Sequence, residues 1–160
     1  MMGGDNMKKH ELLEQATALL SEQPNELAIL SNASAFINDT FDRLNWAGFY
    51  LWDGTKLTVG PFQGKVACST IPLGKGVCGE AAQRKMTMVI KDVHMHPNHI
   101  ACDENSRSEV VVPIFINNKL YGVLDVDSPI VNRFDEEIVS FFQDFVQLLI
   151  KTIDKWYPIG

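Results

Sequence analysis

The sequence Trp46-Ala47-Gly48-Phe49-Tyr50-Leu51-Trp52, followed by Asp53-Gly54, decides the fold. Its side chains alternate with a period of two, which is typical of a β-strand and not of a helix. One face carries Trp46, Gly48, Tyr50 and Trp52, and the other carries Ala47, Phe49 and Leu51. Asp-Gly is a strong hairpin signal, and Lys56 to Val59 supplies the returning strand. The pattern therefore predicts the start of an antiparallel sheet.

Helical patterns flank this strand on both sides. Lys8 to Ser21 places leucines on one helix face, and a second apolar stripe runs from Leu27 to Phe41 after a break at Ser21 to Asn25. Near the other end, Asp135 can cap a long helix whose apolar stripe continues to Ile153. We expect all three stripes to pack against the core.

Short elements fill the middle of the chain. Two of them carry cysteines: a strand near Lys65 to Ile71 carries Cys68, and a helix from Val77 to Arg84 carries Cys78 near its start. A strand at Thr87 to Ile90, a polar loop at Lys91 to Ser108 that contains Cys102, and a hairpin of Val110 to Phe115 with Leu120 to Val126 follow.

The order of these elements predicts an α+β domain with a central, mostly antiparallel sheet. The N- and C-terminal helices would cover one face of the sheet. The loops and the short helix would cover a ligand site on the other face. We expect residues 1–7 to be a disordered lead-in and residues 8–158 to form a single domain.

Composition restricts the classes of partner. The 160 residues carry a net charge of −6 with no basic block, which argues against a nucleic acid or an anionic membrane surface as partner. The start of the chain has no secretory pattern, and no apolar run is long enough to span a membrane. We therefore expect a cytoplasmic protein whose three cysteines are reduced at rest.

Two pairs of residues in the middle of the chain could bind a small molecule. Asp125 and Asp127 share one strand face, so they could grip an ammonium group or share a proton, or they could lie on a solvated face. Trp46 and Tyr50 also share a face, so they could form a pocket wall or pack within the core.

The cysteines allow a redox interpretation and two others. Histidines near Cys102 and the helix start near Cys78 could favour thiolates, while Cys68 precedes a mobile glycine-rich loop. A structural zinc site is disfavoured because its candidate ligands lack paired spacing; these are His94, His96, His99 and Cys102. Burial of the cysteines as small apolar residues stays open.

Five motifs in order suggest a family. They are Trp46-Ala47-Gly48-Phe49-Tyr50, Gly76-Val77-Cys78-Gly79, His99-Ile100-Ala101-Cys102-Asp103, Ser108-Glu109-Val110-Val111-Val112-Pro113 and Leu124-Asp125-Val126-Asp127-Ser128. Together they closely resemble the free methionine-(R)-sulfoxide reductases, which are built on a GAF domain. The resemblance covers the chain from about Lys8 onward.

The resemblance implies a set of roles. Cys102 would be the nucleophile, Cys68 the principal resolving cysteine that forms a disulfide with it, and Cys78 an auxiliary resolving thiol. Further residues would bind free methionine sulfoxide: Trp46 and Tyr50 at the methylthio end, and Glu109, Asp125 and Asp127 at the amino group and the sulfoxide oxygen.

The resemblance also has implications for cofactors and for the reductant that restores the thiols. No metal or organic cofactor would be bound, and thioredoxin would reduce the disulfide. A homodimer through the terminal helices is a further expectation. The alternative is a non-catalytic GAF sensor of small ligands.

One register question bears on the acids. If Asn117-Asn118 forms a strict two-residue hairpin, Asp125 pairs with Val110, and Glu109 then faces away from Asp125. A bulge near Pro113 would restore a common face, as would a Glu109 that precedes the regular strand. We expect the acids to meet.

Overall fold

A computed structural model describes residues 8–100 and 102–156. The predicted lead-in at residues 1–7 and the predicted domain end at 158 lie outside the described residues. The described chain contains four α-helices, six strands and one short 3₁₀ helix (Val93–Met95). In chain order, the α-helices and strands are α1 (Lys8–Ser21), α2 (Glu26–Thr40), β1 (Trp46–Trp52), β2 (Leu57–Gly64), β3 (Thr70–Ile71), α3 (Gly76–Arg84), β4 (Met88–Ile90), β5 (Ser108–Ile116), β6 (Lys119–Ser128) and α4 (Glu136–Trp156).

The strands form one antiparallel sheet in the order β3-β2-β1-β6-β5-β4. The predicted period of β1 is confirmed, because its alternate side chains enter two different apolar clusters. Ala47 and Phe49 pack with α1, α2 and α4, whereas Trp46 and Tyr50 pack with α3. The sheet therefore has the terminal helices on one face and the short helix on the other, as the sequence predicted.

Caps fix where two of the helices begin. The Asn25 side chain accepts a hydrogen bond of 2.9 Å from the Ala28 N–H at the start of α2. Asp135 caps α4 as predicted, because its side chain accepts from the Ile138 N–H at 2.9 Å. None of the described helices combines the length and the apolar character that a membrane span requires.

The segment around Cys68 differs from its prediction. The strand expected over Lys65 to Ile71 is reduced to Thr70–Ile71, so Cys68 lies in the loop before it. The Cys68 carbonyl accepts a hydrogen bond from the Tyr50 hydroxyl at 3.2 Å instead of entering a strand ladder. A side-chain hydrogen bond from β1, and not strand pairing, therefore contacts the Cys68 backbone.

The β5–β6 hairpin answers the register question. Asn117 and Asn118 both have positive φ, which fits a two-residue turn. A bulge then shifts the register beside Pro113, since Phe115 pairs with Leu120 but Ile114 pairs with Gly122. The bulge explanation is confirmed, and Glu109 lies within the strand.

Candidate active site

Three acids meet on the α3 side of the sheet. Glu109 on β5 pairs with Asp127 on β6, and Asp125 lies two residues before Asp127 on the same strand face. Their exposed fractions are only 7%, 5% and 8% for Glu109, Asp125 and Asp127. Such a concentration of buried carboxyl groups is costly for a fold unless they hold protons or meet a cation.

The surroundings of these acids favour the protonated forms. Burial raises the pKa of Glu109 well above its ordinary value, and the charge of Asp125 adds to the effect. Burial likewise raises the pKa of Asp125 and of Asp127, with repulsion from a neighbouring acid as the next cause in each case. The cluster can therefore hold protons in the absence of a ligand and ionise when a cation enters.

An aromatic wall stands beside the acids. The rings of Trp46 and Tyr50 stack with centroids 5.5 Å apart, and Trp46 also stacks on Phe62 at 4.9 Å. Phe62 was not singled out from the sequence, because the prediction ended the returning strand at Val59. It has room because it pairs with Gly48, where an added Cβ would lie 2.2 Å from the Phe62 Cβ.

Cys68 and Cys102 form a disulfide, although 34 positions separate them in the chain. Their Cα atoms are 5.3 Å apart, which lies within the usual range for a disulfide. In this state Cys102 has no thiolate to offer a metal, and His96 pairs instead with Glu80. Within the described part of the chain, His94, His96, His99 and Cys102 do not form a group whose ligand atoms could hold one metal ion.

Cys78 is a buried free thiol on α3. The expectation that its helix start would favour the thiolate is wrong for this state. Burial raises the pKa of the Cys78 thiol well above its ordinary value, and the charges of Asp125 and Glu109 raise it further. Those effects outweigh any help from the helix start.

One cavity of about 30 Å³ is lined by the three acids, by the rings of Trp46 and Tyr50, and by Cys78 and Cys102. The loop between β4 and β5, which carries Cys102, forms one side of this cavity through His99, Ile100 and Cys102.

That loop is fastened to α3 by polar contacts that the sequence did not reveal. His96 Nε2 lies 2.9 Å from Glu80 Oε1, and the Asn98 side-chain amide donates to the Gly74 carbonyl at 3.0 Å. The Asn98 side chain also accepts from the Gly76 N–H at 3.4 Å. An isolated histidine or asparagine in a polar loop carries no local signal of such a role.

The GAF domain family profile matches residues 11–153. Free methionine-R-sulfoxide reductase of Escherichia coli (strain K12) is 43% identical over 143 residues, which is 89% of this chain and 87% of that protein. The chain belongs to the GAF-domain family of free methionine-R-sulfoxide reductases.

Two solved structures of this reductase family are similar to the chain throughout. The free methionine-R-sulfoxide reductase from Neisseria meningitidis, in complex with its substrate, superposes with a TM-score of 0.92 at 37% identity, covering 97% of this chain and 94% of that one. The reduced form of fRMsr from Staphylococcus aureus gives a TM-score of 0.87 at 48% identity, covering 91% and 94%.

Proposed function

We propose that this protein reduces free L-methionine (R)-S-oxide to L-methionine, with Cys102 as the nucleophile and Cys68 as the resolving cysteine. The observation that carries the proposal is the Cys68–Cys102 disulfide, which closes over a cavity lined by buried acids and an aromatic wall. The reductase names of the similar proteins support the same substrate.

Two thiols supply the two electrons that reduce the sulfoxide. The Cys102 thiolate attacks the sulfoxide sulfur while a buried carboxyl group protonates the sulfoxide oxygen, and the resulting hydroxyl group passes from the substrate sulfur to the Cys102 sulfur. Methionine leaves and Cys102 becomes a sulfenic acid, which Cys68 attacks to form the disulfide and release water. The cysteines lose two electrons and the sulfoxide gains them. Cys78 serves as the auxiliary thiol in this scheme.

The acids account for selectivity toward a free amino acid. In the bound state, ionised carboxylates among Glu109, Asp125 and Asp127 hold the substrate ammonium, while one protonated acid faces the sulfoxide oxygen. Trp46 and Tyr50 hold the methylthio end. A peptide-bound residue has no ammonium group, so it leaves these buried acids without a cation.

The cycle needs an external dithiol and no bound cofactor. We assign that role to thioredoxin, which reduces the disulfide by thiol–disulfide exchange. A cytoplasmic location fits the reduced resting thiols that the cycle requires. A homodimer through the terminal helices remains part of the proposal.

The test compares free and peptide-bound sulfoxides of both epimers, with Cys102→Ser as the control. We expect turnover of the free R epimer alone and no turnover by the variant. Comparable turnover of a peptide substrate would contradict the assignment, as would full activity of Cys102→Ser. Ligand binding that leaves all cysteines unoxidised would instead support a sensor.

A further inference from the structure

Cys78, Glu109 and Asp125 come from three separate elements, yet their ligand atoms lie close together. The Cys78 sulfur and one carboxylate oxygen from each acid are all within 4.8 Å of one another. All three side chains are buried. A sulfur and two oxygens at this spacing can converge on one metal ion with a modest inward shift.

A second observation indicates that a cation would fit among these side chains. Asp125 Oδ1 and Asp127 Oδ1 are both buried without a hydrogen-bond partner among the described residues. Both aspartates are more than nine-tenths buried, and both line the cavity that the cysteines close. Buried polar atoms normally have a partner, so these two oxygens indicate space for a positively charged ligand.

We propose that the disulfide form binds one thiophilic divalent cation, such as Zn²⁺, through Cys78, Glu109 and Asp125. A thiolate with two carboxylates suits Zn²⁺, which is stable with four mixed sulfur and oxygen ligands. Mg²⁺ and Ca²⁺ prefer oxygen ligands alone, so the cysteine selects against them. A water molecule would supply the fourth ligand.

The metal would act as a regulator and not as a cofactor. It would lie among the acids that the proposed function assigns to the substrate ammonium, so the metal and methionine sulfoxide would exclude each other. The site is nevertheless testable without turnover. Failure of the reductase assignment would leave metal binding intact, and failure of metal binding would leave the assignment intact.

The experiment exploits the cysteine count. The chain has three cysteines and the disulfide occupies two, so Cys78 is the single free thiol in the oxidised protein. Oxidised protein is equilibrated with Cd²⁺, a spectroscopic substitute for Zn²⁺, and the near-ultraviolet thiolate-to-metal absorption is titrated. We expect one ion per chain with this absorption, and calorimetry with Zn²⁺ should give the same stoichiometry.

Variants locate the ion. Cys78→Ser should abolish the absorption, and Glu109→Gln and Asp125→Asn should each weaken binding by about tenfold or more. If Cys78→Ser does not fold, metal binding by the two acid variants tests the proposal instead. His94→Gln, which removes an exposed loop imidazole, is the matched control and should bind normally. Absence of the absorption in the wild type would overturn the proposal, as would unchanged binding in the acid variants or loss of binding in His94→Gln.

Discussion

Glu109 lies directly across the β5–β6 pair from Asp127, and this alignment depends on one extra residue in β6 at the bulge. Without the bulge, the register would move by one residue and Glu109 would turn toward the helices of the other layer. A backbone irregularity beside Pro113 therefore brings the three acids to one face. The chemistry proposed for this site follows from that alignment.

Removing the charge of one acid should stabilise the ligand-free protein. Because the folded-state pKa of Asp125 is raised, its stability contribution is complete below the ordinary carboxyl range and is lost as pH rises. Asp125→Asn should therefore raise the Tm at neutral pH by about 2–4 °C per kcal/mol gained. Its Tm should fall less with rising pH, and its kcat/KM should drop by about 100-fold or more.

The control for this prediction is Asp53→Asn in the β1–β2 turn. Backbone N–H groups of Lys56 and Thr55 lower the pKa of Asp53, so its contribution is present at neutral pH and lost as pH falls. This variant should not raise the Tm at neutral pH. Thermal unfolding measured across a pH series checks both variants. A lower Tm for Asp125→Asn at neutral pH would contradict the account of the acids.

The contacts between the Cys102 loop and α3 should govern how often the site opens. His96→Gln and Asn98→Ala each weaken partly buried contacts to Glu80 or to the backbone of the glycine-rich loop. We expect amide exchange in residues 91–107 to become roughly tenfold faster or more, since hydrogen bonds to charged groups contribute about 1.5–3 kcal/mol.

His94→Gln is the matched control for the loop, because His94 is exposed in the same segment. Its amide exchange should stay near the wild-type rate. Equal acceleration in His94→Gln and His96→Gln would show that the pairing with Glu80 does not hold the loop closed.

The Tyr50 hydroxyl should position Cys68 for disulfide closure. Tyr50→Phe removes the hydrogen bond to the Cys68 carbonyl but keeps the ring. Formation of methionine in the first turnover should be unchanged, whereas closure of Cys68 onto Cys102 should slow by about 2–10-fold, corresponding to 0.5–1.5 kcal/mol. Rapid quenching with thiol labelling separates the two steps.

Tyr121→Phe controls for the loss of a tyrosine hydroxyl. That hydroxyl bonds to Glu26 on α2, on the opposite layer from the cysteines. Both variants should lose stability, but disulfide closure should slow in Tyr50→Phe alone. Slowing of closure in both would assign the effect to general destabilisation.

The surface beside the disulfide should contact the protein that reduces it. Val66 is 90% exposed and lies two positions before Cys68. Val66→Asp places a charge there and should slow reduction by thioredoxin several-fold, while reduction by a small dithiol stays within about twofold.

Leu27→Asp provides the comparison, because Leu27 is 66% exposed on α2, which packs on the opposite face of the sheet. Disulfide reduction by thioredoxin should be normal in this variant. Equal slowing by both variants, or by both reductants in Val66→Asp, would argue against docking at Val66.

Much of the fold could be predicted from local patterns. The period-two alternation of β1 and the Asp135 cap of α4 both follow from a few neighbouring residues, and both are confirmed. The sequence was less informative about where the short elements begin and end. The strand around Cys68 was predicted too long because a tertiary contact with Tyr50, and not strand pairing, holds that segment.

The sequence predicted which residues form the site, but it did not predict how their surroundings shift their pKa values. The motifs pointed to the acids and to the disulfide partners through family resemblance. Sequence spacing alone could not show that Cys78 is buried beside Asp125. That environment raises the pKa of the Cys78 thiol, whereas the helix start was expected to favour the thiolate. Phe62 was missed because the returning strand was predicted to end at Val59, and the pairing of His96 with Glu80 was missed because the two residues lie in different elements.

Disulfide mapping after a single turnover tests the central claim most directly. Fully reduced protein is mixed with one equivalent of free methionine (R)-sulfoxide without reductant, alkylated and digested. The account predicts one methionine released per chain and a Cys68–Cys102 linkage, with Cys78 alkylated. Methionine release that leaves all three cysteines alkylated would contradict it, as would a linkage that does not include Cys102.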